Sequence, residues 1–431
     1  MTEARAPTPA QLSLGTSEPN DPVDAAASLE VPAAPGWPEP PTADAYHGVF
    51  GAIIEKLAPN TEADPVAILA QLIVACGSAI GRGPHFQVEA TPQHTNEYLL
   101  LVGDTAKSRK GSSLDHVTRL MQTADPDFQR RQVTGLSSGE GVVWTLRDPQ
   151  DGDLGSVDKR LLILEPEFAS VLKAASREIS TLSPMLRSAW DSRPLQLLTK
   201  TTPVRATDTH ISIIGHITAP ELRRHATGIE IANGFLNRYV IICCRRVRLL
   251  PEGGNTDPLH RSGLPRYLAS AIQHARSVGP VRFDQHARTL WRNSYLELTQ
   301  PADGLPGHLT ARAEAHTIRL ALIYALIDGQ TRIYEQHLQA ALALWDYAAR
   351  SAAWTLGHST GDPIAEQIHT ALLRSPDGLT RTQIRDFCHR NLPTQRVDQA
   401  LASLAAAGRA TRQRTLTGGR PAELWTAAPS T

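Results

Sequence analysis

An apolar run, Tyr98-Leu-Leu-Leu-Val-Gly103, leads into a short polar loop with two adjacent cations, Arg109 and Lys110, and then into Ser112 and Ser113. Leu114, Val117, Leu120 and Met121 follow at helical spacing, so the spacing predicts a helix opening at Ser112 or Ser113. Strand, glycine, basic loop, hydroxyl and helix, in that order, are the parts of a phosphate-binding loop. Backbone N–H groups and the helix N-terminus hold the phosphates, a lysine reaches the outer ones, and a hydroxyl holds Mg²⁺. The candidate nucleotide-binding residues are Gly103, Asp104, Thr105, Ser108, Arg109, Lys110, Gly111, Ser112 and Ser113. The spacing departs from G-x-x-x-x-G-K-[ST]. Ser108 and Arg109 stand where the second glycine and the lysine belong, Lys110 comes one position late, and Gly111 separates it from Ser112. Taken alone, the stretch fits an ordinary strand-to-helix loop equally well.

Phosphoryl transfer also needs a metal-holding carboxylate, a base to orient water and a cation for the transition state. Glu165 and Glu167 follow the apolar run Arg160–Glu165 and suit the acidic end of a metal-binding strand, with Glu165 and Ser112 as the metal pair. Pro166 between the two acids leaves open which one faces the metal. Glu140, in Ser137-Ser-Gly-Glu-Gly141, is a second candidate base; an acid in a helix's first turn also serves simply to favour the dipole. His216 and Thr218 end the run 210–217 and suit a phosphate sensor. Asn233-Gly-Phe-Leu-Asn-Arg238 reads as a rigid turn presenting a cation, with Arg238 either an arginine finger or the partner of a nearby carboxylate.

The elements that must position these residues are legible as blocks. Strands are predicted at 86–90, 98–103, 160–165, 210–216 and 238–244, separated by helices at 113–123, 138–147, 166–178, 183–190 and 219–227. Continuous apolar strands alternating with helices indicate a mostly parallel sheet covered on both faces, with ligands at the carboxyl ends of its strands. Residues 1–43, rich in Pro and Ala, read as disordered. Residues 44–250 form the α/β core with its N-terminal helices, and 251–357 a loop-rich then helical extension. The segment 362–427 reads as three helices and a hairpin turning at 417–421, the order of a winged helix. Val397, Ala400, Leu401 and Leu404 give its third helix a buried stripe and leave Gln395, Arg396 and Gln399 outward for the major groove. Arg409, Arg412, Arg414 and Arg420 supply the wing with positive charge for phosphates. Such units also dock proteins.

Composition narrows the class. The 431 residues carry 43 Lys+Arg and 43 Asp+Glu, so any nucleic-acid surface must be local. The four cysteines show neither metal nor disulfide-framework spacing, and no signal peptide or membrane span is expected, which suits a cytoplasmic protein.

The motifs taken together, Gly103–Ser113, Ser137–Gly141, Leu164–Ala169, Ile211–Thr218 and Asn233–Arg238, resemble the DUF3987 family of P-loop proteins over roughly residues 45 to 355. That resemblance implies an α/β, RecA-like ATPase core akin to the motor half of primase–helicases, here with a C-terminal winged helix. It implies ATP and Mg²⁺ as cofactors and work on DNA in replication of bacterial or mobile-element DNA. It further implies a homo-oligomer, a ring among its forms, working beside replication proteins. Lys110 would then bind the β- and γ-phosphates, Ser112 or Ser113 the Mg²⁺, Glu165 or Glu167 the metal's far side, and Arg238 would be the finger. The altered glycine pattern keeps a non-hydrolysing DNA-binding adaptor as the alternative. No primase module is expected in the roughly 45 residues ahead of the core, which read as too few and too disordered.

Overall fold

The computed structural model describes residues 29–33, 36–103, 107–150, 152–198, 203–226, 233–300, 304–357, 362–388, 392–415 and 422–428. Five parallel strands form the central sheet: β1 (Tyr98–Gly103), β2 (Gln132–Val133), β3 (Arg160–Glu165), β4 (His210–Thr218) and β5 (Tyr239–Cys244). Their spatial order is β5-β1-β4-β3-β2. β1 therefore lies between β4 and β5, while β2 is the far edge. β1 and β5 are buried along their whole length, the reason their sequences are apolar without alternation.

The helices cover both faces. α1 (Gly48–Leu57) packs on α2 (Pro65–Ile80), which lies across β3, β4, β1 and β5 and is buried all round, as its unbroken apolar sequence requires. Asp64 caps α2 by accepting from Val66 N–H at 3.3 Å, with Pro65 at the first helical position. α3 (Lys110–Ala124) joins β1 to the edge and packs on α2; α4 (Gly139–Thr145) follows β2. α5 (Phe168–Ala175), α6 (Leu182–Trp190) and α7 (Ala219–His225) pack on β4. Gly215 in β4 permits this closeness: a Cβ there would lie 2.5 Å from a ring carbon of Phe168 and 3.1 Å from Leu100.

Beyond the sheet, the stretch expected to be loop-rich contains α8 (Leu264–Ala275) and a strand, Pro280–Phe283, before α9 (Gln285–Thr299), α10 (Ala313–Ile327) and α11 (Glu335–Leu356). Pro280–Phe283 belongs to a second, four-stranded sheet, ordered 332–333, 280–283, 85–88, 91–94. The strand expected at 86–90 is the one at 85–88, which belongs to this sheet and not to the central one; the other three are too short for periodicity to expose. α11 packs on β5 and on α10.

The disordered reading of residues 1–43 fails where the chain is described. Leu29–Glu30 pairs antiparallel with Arg248–Leu249, and Trp37 packs on Trp354 with ring centroids 4.7 Å apart. A tryptophan and a short strand suffice to dock a segment whose composition is otherwise that of a tail; residues 1–28 lie outside the described residues.

The C-terminal unit has its own small apolar core, including Ile368, Leu372, Val397, Leu401 and Trp425. It comprises α12 (Pro363–Leu373), β6 (Leu379–Thr380), α13 (Arg381–Phe387), α14 (Thr394–Ala406), β7 (Ala410–Thr415) and β8 (Ala422–Ala427). β8 pairs antiparallel with both β6 and β7. Gly408, with φ of 65°, follows α14 as expected of a helix-ending glycine. The expected turn at 417–421 lies outside the described residues. α12 packs against α7, joining the unit to the core. All four cysteines are free and buried, and among the described residues no helix is long and apolar enough to cross a membrane.

Candidate functional site

β1 ends at Gly103, and α3 begins at Lys110, two residues earlier than its apolar spacing suggests. Arg109, immediately before it, has φ of 59° and ψ of 27°. That left-handed conformation is one that glycine adopts freely and an arginine does not. The missing second glycine is thus replaced in conformation: Arg109 makes the turn, and Lys110 follows it directly into the helix. A left-handed residue followed by a helical one turns successive N–H groups toward one point, the arrangement of an anion-binding nest. The Arg109 side chain itself makes no cap hydrogen bond at the N-terminus of α3. The ion pair from Arg109 Nη2 to Glu62 Oε2, at 2.6 Å, holds the turn in place. Arg246 and the Leu250 N–H bind the same carboxylate, whose pKa they lower against the opposing effect of burial. Arg109 therefore acts on the loop's shape, and its charge is already matched.

Gly103 is required by the loop that returns over it. A Cβ there would lie 2.2 Å from Ser108 Oγ and 2.6 Å from Lys110 Nζ. Lys110 thus stands over the carboxyl end of β1. It also acts on His216 and Glu221 across the neighbouring strand end, lowering the pKa of each. Asp104 and Thr105 lie outside the described residues.

The two serines separate cleanly. Ser113 is fully buried and belongs to a one-way hydrogen-bond relay. His216 Nε2–H donates to Gln71 Oε1 at 2.9 Å, Gln71 Nε2–H donates to Ser113 Oγ at 2.7 Å, and the Ser113 hydroxyl donates to the Lys110 carbonyl at 2.6 Å. Gln71 Nε2 also donates to Ala67 O, which fixes the amide's orientation. Ser112 is half-buried and on the outer side of the turn, leaving it as the hydroxyl for a metal. Burial, and secondarily Lys110, depress the His216 pKa to about 4, so the ring is neutral at pH 7. His216 is a buried member of the loop's support. Gln71 was missed by sequence reasoning; its signal is a lone amide inside the apolar run Val66–Ala75.

The acids are more scattered than expected. Glu165 ends β3 and is 5% exposed, with Oε1 accepting from Leu136 N–H at 2.6 Å. β4 stands between β3 and β1, which puts Glu165 about 10 Å to the side by strand spacing. Glu165 is level with Gly215, whereas Gly103 is level with Thr218. Only a metal keeping its water shell could serve both Ser112 and Glu165, which suits Mg²⁺. Glu167 is exposed at the start of α5. Glu140, the second candidate base, follows β2, and β3 and β4 separate that strand from β1. There it accepts from Thr181 Oγ1 at 2.8 Å, which lowers its pKa.

Arg238 is the clearest correction. β5 runs parallel to β1, and Tyr239 is level with Tyr98, so Arg238 sits at the amino edge of the sheet. Gly103 is level with Cys244, six residues beyond Arg238 and roughly 20 Å away at the rise of a parallel strand. Arg238 is 6% exposed, its guanidinium paired with Asp191 at 2.9 Å and bonded to the Gly234 carbonyl. The turn that presents it presents it inward, to a carboxylate.

The expected DNA face is also thinned. Gln395, Gln399 and Arg412 are exposed. Arg396 makes a bidentate pair with Asp362, at 2.7 and 2.5 Å, which ties α14 to the cap of α12. Arg409 is bound to Glu366 at 2.5 Å and to His369 at 2.8 Å, turned toward α12. Arg414 lies in β7, level with Glu423. Arg420 lies outside the described residues.

A cluster not anticipated from sequence joins His47, Asp328 and His337, whose nitrogen and oxygen atoms lie within 4.8 Å of one another. Such spacing suits a metal, but the hydrogen bonds argue for a clamp. The Tyr334 N–H donates to His337 Nδ1 at 3.0 Å, which leaves the proton of a neutral ring on Nε2, the atom facing Asp328. Asp328 also accepts from the Val49 N–H, tying the start of α1 to the α10–α11 turn. Despite burial, these donors lower the Asp328 pKa to about 2.

No family model matches the chain, and no curated protein matches it.

Proposed function

We propose that the chain is a Mg-ATP-binding P-loop protein of RecA-like build that acts on DNA. One observation carries this reading. Lys110 opens a helix behind a left-handed Arg109, over a glycine that admits no side chain, at the carboxyl edge of a central parallel strand. Helix N-termini and nests bind phosphate, and a lysine there reaches the outer phosphates. The β5-β1-β4-β3-β2 order leaves one strand between the loop and Glu165, so a metal shared by Ser112 and that carboxylate would have to reach it through its water shell. Ser112 and Glu165 are the metal pair in this reading, and the ATP and Mg²⁺ supply the phosphoryl group and its charge neutralisation. The order of motifs resembling DUF3987, with a winged helix at 362–427 as a DNA module, supports the same assignment.

Turnover by the isolated chain is expected to be slow. Arg109 is matched by Glu62, and Arg238 lies at the opposite edge of the sheet, so the transition-state cation would have to come from a neighbouring copy. The same observations favour the second reading, an adaptor that binds nucleotide or DNA without hydrolysing. The test is ATP hydrolysis with and without single-stranded DNA, beside Lys110→Ala. DNA-stimulated turnover that the variant loses supports the motor. Equal turnover in parent and variant refutes the phosphate site, and DNA binding without turnover moves the adaptor to first place.

A further inference from the structure

The second sheet carries a concentration of positive charge that the phosphate site does not use. Arg282 and Arg332 are directly in register on adjacent parallel strands, so their side chains leave the same face side by side. Both are exposed, while the next pair in register, Phe283 and Ile333, is buried. Like charges set opposite one another in a sheet are destabilising. Nearby, Arg288 lines a groove of about 470 Å³ together with Arg282, His85 and Phe86. Arg292 and Tyr295 follow Arg288 at i+4 and i+7, on the same side of α9, and Tyr295 is 47% exposed.

Among the described residues none of these four arginines has a carboxylate partner. Of the acids near them in sequence, Asp284 accepts from the Ala287 N–H at 2.8 Å and Glu335 accepts from Gln339, while Glu297 on α9 is exposed and forms no ion pair with them among the described residues. In a chain with no net charge, two such guanidiniums on one groove, Arg282 and Arg288, with Arg332 beside the first and Arg292 one turn from the second, are a local feature that a bound polyanion would explain.

We propose that this groove, formed by strands 280–283 and 85–88 with α9 and flanked by Arg332 and Arg292, binds single-stranded nucleic acid. Arg282, Arg332, Arg288 and Arg292 hold successive phosphates, and Tyr295 offers its ring to an unpaired base. A charged groove with an exposed aromatic is the pattern that binds single strands without reading their sequence. Guanidiniums suit phosphate oxygens through paired hydrogen bonds. The site is separate from the C-terminal unit and does not depend on the nucleotide reading.

The experiment measures binding of a fluorescein-labelled oligothymidylate to the full chain without nucleotide, across a salt series. The variants are Arg282→Ala/Arg332→Ala, Tyr295→Ala and, for the C-terminal unit, Arg412→Ala. All change exposed side chains, and thermal melting checks that each still folds. The double variant should bind more weakly and lose about 1.4 from the slope of log K against log salt, at roughly 0.7 per phosphate. Tyr295→Ala should weaken binding about fivefold or more. Parental affinity and slope in the double variant would overturn the proposal, as would a parent chain that binds no oligonucleotide. A loss confined to Arg412→Ala would overturn it in favour of the C-terminal unit.

Discussion

Replacing Gln71 by Leu should loosen the phosphate loop from beneath. Gln71 has no exposure and links α2 to both β4 and α3. Leucine of similar volume removes the acceptor of His216 Nε2–H, in a ring only 4% exposed, and the donor to Ser113 Oγ. A buried donor left without a partner costs about 1–3 kcal/mol, and a lost hydrogen bond about 1 kcal/mol. Ser113 still donates to the Lys110 carbonyl, and Ala67 O retains its helical bond, so neither adds a further orphan. The expected loss is about 2–4 kcal/mol, read as a lower urea midpoint at pH 7.5 with an unchanged slope. Adding His216→Phe removes the orphaned donor, so Gln71→Leu/His216→Phe should be more stable than the sum of the single changes by about 1 kcal/mol or more. A Gln71→Leu protein as stable as the parent, or strict additivity in the cycle, would refute the relay.

Three further outcomes follow from the same geometry. Gly103→Ala drives a methyl into Ser108 and Lys110, so it should abolish binding of a fluorescent ATP analogue while the circular dichroism spectrum is retained. Arg238→Ala leaves Asp191 with Arg312 as its one remaining ion-pair partner among the described residues and should cost about 1–3 kcal/mol in urea unfolding, yet leave ATP turnover per folded molecule unchanged. Acid should destabilise the fold between pH 6.5 and 4. Burial lowers the pKa of His216 and His94 to about 4 and of His210 to about 3, so the unfolded chain binds more protons across that window. Stability from these rings is present above pH 6.5 and is lost as pH falls through their folded values. Asp64, raised to about 6 by burial, works the other way and leaves a net of about two protons, roughly 2.7 kcal/mol per pH unit near pH 5. Urea midpoints at pH 7 and pH 5 measure it; equal midpoints would contradict it.

Sequence pattern alone located the strands that matter. β1, β3, β4 and β5 are each an apolar block, because a strand covered on both faces cannot alternate, and helical spacing marked α2, α3 and α14. It also placed the loop after Gly103, since glycine, cations and hydroxyls at a strand end form a local signal. Strand order, however, is a long-range property. That β4 inserts between β1 and β3 moved Glu140 to the far edge, and parallel pairing of β5 put Arg238 at the wrong end of the sheet for a finger. Charge pairing is equally non-local: Glu62 claims Arg109, Asp362 claims Arg396 and Glu366 claims Arg409, across separations no spacing rule spans. Arg109 shows both limits at once. Its sequence position broke the consensus, and only the backbone around it could show an arginine held by Glu62 in the conformation of the absent glycine.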